Sequence, residues 1–229
     1  MIRKVIQTIN GPLPVEIPTE LREVTLGMLI DLRNDNSDIE AIAILSGVPL
    51  DRLYDAKSTD EFDQFTDYVL SLSHKLKYDY DKVAHRVPKN VTIAGKTVDV
   101  INNLSIEPVG AFMECRDLIA EEINHHIQAF GEEDWKTYYK PDLDNAALIL
   151  AHYFYCKVTG QPYDAFKAEE FKSEVVKLPI TESLPIARDF FLNYPNLLRQ
   201  KLSFWQAIKH LWKNKQASRR LKRSRTTTL

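Results

Sequence analysis

Glycine is scarce in this 229-residue chain: seven residues, Gly11, Gly27, Gly47, Gly95, Gly110, Gly131 and Gly160, no two of them close. Nucleotide-binding loops need several Cβ-free positions within one turn, so the sequence holds neither a GxGxxG fingerprint nor a P-loop. Cysteine is scarcer still. Cys115 and Cys156 stand 41 positions apart and form no CxxC, which excludes a zinc ribbon and a thioredoxin-type motif. Both fall in helical patterns and are expected as reduced, buried thiols of an intracellular protein. No apolar run approaches the ~20 residues of a membrane span. The basic start, Met1 to Thr8, lacks the long apolar stretch of a secretory signal. No membrane partner is expected. Net charge is almost absent as well, with 30 Lys+Arg against 32 Asp+Glu.

What is present is an ordinary globular composition, 44% hydrophobic and 27% charged, long enough for one large domain or two small ones. Ile2 to Ile17 read as a strand followed by a proline-punctuated arm, because Pro12, Pro14 and Pro18 cannot sit in a central strand. A helical module follows. Thr25 is a good N-cap for Leu26 to Asn34. Ser37-Asp38-Ile39-Glu40 reads as a capping box for a helix stopping at Gly47, and Pro49 restarts the chain over Leu50 to Asp55. Ser58-Thr59-Asp60-Glu61 reads as a second box, opening a helix whose apolar stripe is Phe62, Phe65, Val69, Leu72 and Leu76. Val91 to Ile93 and Thr97 to Val100 flank Ala94-Gly95-Lys96, a hairpin signal.

Helical periodicity then returns. Phe112, Ile119, Ile123, His126 and Phe130 define one face of a long helix. Leu143, Ala147, Leu150, Phe154 and Val158 define the next, ending before Gly160. Tyr163 to Lys177 gives a third. Pro179 and Pro185 predict a break before a short helix over Ile186 to Leu192, and a last helix runs from about Asn196 to Trp212. The expected fold is mainly α: a helical, bundle-like body with one small β-hairpin near 91–100, an extended N-terminal arm, and a basic C-terminal helix plus tail. The expected divisions are an arm over 1–24, a body over 25–214 and a tail over 215–229.

Candidate chemistry is thin. Glu122-Ile123-Asn124-His125 has the Glu-x-x-His spacing of bundle di-iron sites, but no second such pair exists. A polar face made of Glu121, Glu122, His125 and His126 is the preferred reading. Asp142 and Asp144 at a helix start suit capping and the helix dipole. A calcium loop would need a glycine and a distal Glu that Asp-Leu-Asp-Asn lacks. There is no Gly-x-Ser-x-Gly, and neither cysteine sits in a basic or glycine-rich segment. The expectation is no enzyme, no metal and no cofactor.

The near-zero charge is an average. From Phe190 to Leu229 there are ten basic residues and no acidic one, while residues 1–189 carry 20 basic against 32 acidic; the two parts are +10 and −12. The last helix carries an apolar stripe of Leu198, Leu202, Trp205, Ile208 and Trp212, widened by Phe204 and Leu211, with Lys201, Lys209 and Lys213 on its other face. A basic amphipathic helix with an Arg-rich tail can dock in an acidic partner groove, bind nucleic acid or lie on a membrane. The partner-binding candidates are Phe204, Trp205, Trp212, Lys213, Lys215, Arg219, Arg220, Lys222, Arg223 and Arg225.

Two phrases carry a resemblance: Glu23-Val24-Thr25-Leu26-Gly27-Met28, and Ala41-Ile42-Ala43-Ile44-Leu45-Ser46-Gly47 running into Val48-Pro49-Leu50-Asp51-Arg52-Leu53. Over roughly Pro12 to Leu76 the chain resembles small structural and assembly proteins of tailed bacteriophages of gut bacteria. With its helical body and basic tail it is similar to the head–tail connector ring, or portal-adaptor, proteins of crAss-like podoviruses. The resemblance implies a non-enzymatic subunit of an oligomeric ring joining portal to tail. It implies partners in itself, the portal and neighbouring tail or connector proteins, contact with passing DNA, and a place in a virion assembled in the host cytoplasm. A phage tail-assembly chaperone and a nucleic-acid-binding accessory protein are the alternatives.

Overall fold

A computed structural model describes residues 1–33, 36–76, 86–100, 108–131 and 142–191. The chain divides into two units, Met1–Phe191 and Leu192–Leu229. The fold described below is that of the first, and it is mainly helical with two antiparallel hairpins.

The N-terminal stretch is extended, as its residues dictate, but it pairs with itself. Strand β1, Ile2–Thr8, and strand β2, Gly11–Ile17, form a hairpin with Val5 opposite Pro14 and Gln7 opposite Pro12. Leu13, Val15 and Ile17 point inward and are buried, while Pro12 and Pro14 are exposed. Both prolines take positions of the same parity in a strand paired on one side, where the ladder does not require their missing N–H. Gly11, at φ +110°, completes the turn. The expected strand and extended arm thus form one docked hairpin. The Ile9 N–H donates to the Asp55 carbonyl at 2.9 Å, and the Lys57 N–H donates to the Gln7 carbonyl at 2.9 Å.

Four short helices follow: α1, Leu26–Asp31; α2, Asp38–Ser46; α3, Leu50–Tyr54; and α4, Asp63–His74. Thr25 Oγ1 caps α1 by accepting the Met28 N–H. Ser37 and Glu40 close the expected capping box, and Gly47 ends α2 in the left-handed conformation at φ +66°. The second box does not form. Ser58 Oγ accepts the Asp60 N–H and opens a 3-10 turn, Thr59–Phe62. The Glu61 carboxylate instead accepts the Gln7 N–H of β1 at 3.0 Å. A strand edge with a free donor competes for the same oxygen, which local spacing cannot reveal.

Strands β3, Asn90–Ile93, and β4, Lys96–Asp99, form the second hairpin. Its two-residue turn has positive φ at both Ala94 (49°) and Gly95 (76°), the twist that matches paired strands. It packs on helices rather than on β1. Lys96 Nζ donates to the Val158 carbonyl at 3.0 Å, placing a cation at a helix C-terminus.

That helix is the centre of the unit. Helix α5, Val109–Phe130, lies against α6, Leu143–Thr159, and α6 also meets α1, β4, α7 (Ala165–Glu170) and α8 (Lys172–Val175). The expected stripe of α6 is buried at Ala147, Leu150, Phe154 and Val158, but Ile149, Ala151, His152, Tyr153 and Tyr155 are buried too. A helix apolar on all sides is a core helix. Tyr153 stacks edge-on with Phe154 and Phe190, each at 4.7 Å between ring centroids. Lys157 Nζ sits 3.7 Å from the Tyr153 ring centroid, a cation–π contact.

Three expectations shift here. The buried face of α5 is Ala111, Cys115, Ile119, Glu122 and Ile123, whereas Phe130 is exposed. α6 takes up the Cys115 side, where Cys115 Sγ lies 3.5 Å from the Ile149 carbonyl. Cys115 is buried, but Cys156 is only half-buried; both are free thiols. The break at Pro185 does not occur, since residues 180–191 are continuously helical. Pro185 removes one backbone bond in the second turn. Burial of Leu184, Ile186, Ala187, Phe190 and Phe191 offsets that loss. The last helix and the tail lie outside the described residues.

Backbone bonds tie the ends of this unit together. The Leu26 N–H donates to the Leu178 carbonyl, the Gly27 N–H to Val176 and the Ile180 N–H to Val24, at 2.8–2.9 Å. Gly27 permits the approach, because a Cβ there would lie 3.3 Å from the Val176 oxygen.

Candidate functional site

Among the described residues, charged side chains line concavities at two places. The first, about 540 Å³, is lined by Arg33 after α1, by Glu121, Glu122, His125 and His126 on α5, and by Asp142, Leu143 and Asn145 at the start of α6. It unites the two acidic patterns noted in the sequence.

Its polar groups are turned on one another. Asp142 is the N-cap of α6, and its Oδ1 accepts the N–H groups of Asp144 and Asn145 at 2.9 and 3.0 Å. Glu122 is 5% exposed. Its Oε1 accepts the Asp142 N–H at 2.7 Å and its Oε2 accepts the Asn145 side-chain amide at 3.1 Å. A carboxylate at a helix N-terminus is favoured by both the free donors and the dipole.

Arg33 forks across the two aspartates, with Nη1 at 2.9 Å from Asp142 Oδ2 and Nη2 at 2.5 Å from Asp144 Oδ2. Lys172 Nζ holds the other Asp144 oxygen at 2.8 Å. Lys172 first, and then Arg33, holds the Asp144 carboxyl below the usual range, while burial opposes. The hydrogen bond to Asp144 pushes the Arg33 guanidinium up. These side chains are about 40% exposed, so each pair contributes ~1 kcal/mol or less.

The Glu122-x-x-His125 spacing therefore serves the fold. Both Glu122 oxygens are engaged, His125 is exposed, and His126 Nδ1 lies 3.0 Å from the Glu122 carbonyl. Among the described residues no group of three His, Cys, Asp or Glu could hold a metal ion. Sequence reasoning found Glu122 for a different reason and missed Arg33, which lies 109 positions before Asp142. No local signal joins residues so far apart.

The second concavity, about 350 Å³, lies between α2 and the stretch from Thr59 into α4. It is lined by Asp38, Ile39, Ile42, Thr59, Phe62, Asp63, Thr66, Val69 and Leu70. The apolar stripe expected of α4 is divided: Phe65 and Leu72 are buried in the core, while Phe62 and Val69 face this groove. Leu70 is 63% exposed. Asp38 and Asp63 are exposed, and among the described residues no cation pairs with either.

A third grouping is internal. Tyr163 OH lies 2.9 Å from His152 Nδ1, and the Tyr163 ring fills the space a Cβ on Gly110 would occupy, at 2.5 Å. Burial pushes the Tyr163 hydroxyl upward and the His152 ring downward, favouring the neutral form of each.

The candidates Phe204, Trp205, Trp212, Lys213, Lys215, Arg219, Arg220, Lys222, Arg223 and Arg225 lie outside the described residues. Among the described residues no helix is long and apolar enough to cross a membrane. No protein-family model, curated protein or solved structure matches the chain.

Proposed function

We propose that this chain is a non-enzymatic structural subunit that assembles with copies of itself, and that it serves in the head–tail connector of a tailed bacteriophage, as a ring joining portal to tail. The observation that carries self-assembly is the division of charge, −12 over residues 1–189 and +10 over residues 190–229. Such a chain is electrically complementary to its own copies. A basic end on one copy and an acidic body on the next make a heterologous contact, which closes into a ring when the rotation allows. The fate of the candidate catalytic groups supports the same reading. Glu122, Asp142 and Asp144 hold helix starts and cations in the fold rather than a reacting centre. The placement in a tailed phage rests on the resemblance of residues 12–76, and the connector ring on the similarity carried by the helical body and the basic tail.

Deleting Ser218 to Leu229 removes Arg219, Arg220, Lys222, Arg223 and Arg225. The truncated chain should keep the melting temperature of the body and lose assembly, read as mass in solution and as copies per purified particle. Normal incorporation of the truncated chain overturns the proposal, as does a full-length chain that never enters a particle.

The six basic residues from Lys215 to Arg225 favour a second reading, binding to nucleic acid. Such binding would weaken steeply with salt. Absence of a gel shift at low salt removes it.

A further inference from the structure

We infer that the groove between α2 and α4 is the receptor for the basic C-terminal segment of a second copy, with an aromatic side chain of that segment seated in it. This rests on the self-assembly proposed above and names the surface that performs it.

Charge points to this surface. Residues 38–67, the stretch that supplies most of the groove's lining, hold eight Asp or Glu against two Lys or Arg, a net −6, and of these Asp38 and Asp63 line the groove itself. Many acidic groups elsewhere are already matched. Asp144 is held by two cations, Asp142 by Arg33, Glu20 by Lys75 and Glu174 by Lys177. In the groove, Asp38 and Asp63 face solvent without a cation among the described residues.

Shape and polarity agree with charge. The floor is Ile39, Ile42, Phe62 and Val69, and Leu70 is left 63% exposed. A partner carrying phosphate would find both the acids and the apolar floor unfavourable. An amphipathic basic helix finds both favourable, which is the helix-in-groove mode of recognition. The chain supplies a segment of that composition: Trp205 and Trp212 stand seven positions apart with Lys209 and Lys213 close by, and no acidic residue follows Asp189. About 350 Å³ suits an aromatic anchor, the kind of side chain that dominates interface energies. Each copy has one groove and one segment, so the contact propagates from copy to copy.

The test is sedimentation velocity of the full-length chain, before and after nuclease treatment, at low and high salt. Wild type should associate, and more weakly at high salt. D38K/D63K, and separately L70Q, should weaken association by about tenfold or more. Both change exposed positions, and melting curves will show the fold retained. K209E/K213E should weaken it similarly, and the combination D38K/D63K with K209E/K213E should restore it. Association that falls in W205A/W212A but in neither groove variant overturns the groove and leaves self-assembly standing. A monomer at every concentration overturns both. Association that nuclease removes overturns the groove and assigns the basic segment to nucleic acid.

Discussion

Helices α6 and α4 are both rich in apolar residues, and the fold treats them in opposite ways. α6 is enclosed by five other elements and buried on every side. α4 buries Phe65 and Leu72 and leaves Phe62, Val69 and Leu70 along an open groove. The carboxylates follow their helices. At the start of α6, Glu122, Asp142 and Asp144 are all occupied by backbone donors or cations. At the starts of α2 and α4, Asp38 and Asp63 face water. Glu122, 5% exposed, must be matched within its own chain, because an unmatched buried charge costs more than the fold can spare. An exposed charge is under no such demand and stays available to a partner. On this molecule the acids at the start of α6 hold structure, while Asp38 and Asp63 at the groove face water.

The contrast can be broken at its strong end first. Tyr153→Ala removes a ring stacked on Phe154 and Phe190 and the surface beneath Lys157. It should cost ~3–5 kcal/mol, as truncations of buried aromatics do, read by denaturant unfolding. An effect below ~1 kcal/mol would show that α6 is not the centre of the core. Next, Glu122→Ala strands the Asp142 N–H and the Asn145 amide. A loss of ~1–3 kcal/mol is expected, with Glu122→Gln losing less because it keeps an acceptor. Equal losses in the two variants would mean that packing alone, not the capping oxygen, is what Glu122 provides.

His152 gives a pH-dependent effect. Burial holds its ring below the ordinary value of 6.5, so the folded chain takes up this proton less readily than the unfolded chain. Its contribution to stability is present above the unfolded value, declines as pH falls through it, and levels off below the folded value. Melting curves between about pH 8 and pH 5 should show that decline, and His152→Gln should flatten it. A decline unchanged by the substitution would assign it to other groups. The smallest effect lies at the groove. Asp38→Asn with Asp63→Asn should change stability by only ~0.5 kcal/mol, since each acid merely favours an exposed helix start. A loss as large as that of Glu122→Ala would erase the distinction between the two regions.

Much of the local structure was legible. Thr25 and the Ser37–Glu40 box fixed helix starts through bonds made within a few residues, and Gly47 and Pro49 marked boundaries through their own backbone conformations. The Ala94-Gly95 hairpin announced itself by β-branched runs around a turn that tolerates positive φ. The charge division is a property of the sequence alone. Where reading failed, a distant group was the reason. Glu61 left its box for Gln7, and Ile2–Thr8 found Gly11–Ile17 as a partner. The helix over residues 180–191 continued through Pro185 because the residues around it are buried.

The sequence by itself therefore determined the helical class, the caps, one hairpin and the opposite charges of body and C-terminal segment, because each depends on neighbours along the chain or on composition. Only the tertiary structure decided which acids are consumed. Arg33 reaches Asp142 and Asp144 across more than a hundred residues, and the start of α6 delivers the Asp142 N–H and the Asn145 side-chain amide to Glu122. It alone left α2 and α4 with an acidic, apolar groove open between them. Burial sets the cost of an unmatched charge, and burial is a property of packing that no single stretch of sequence contains.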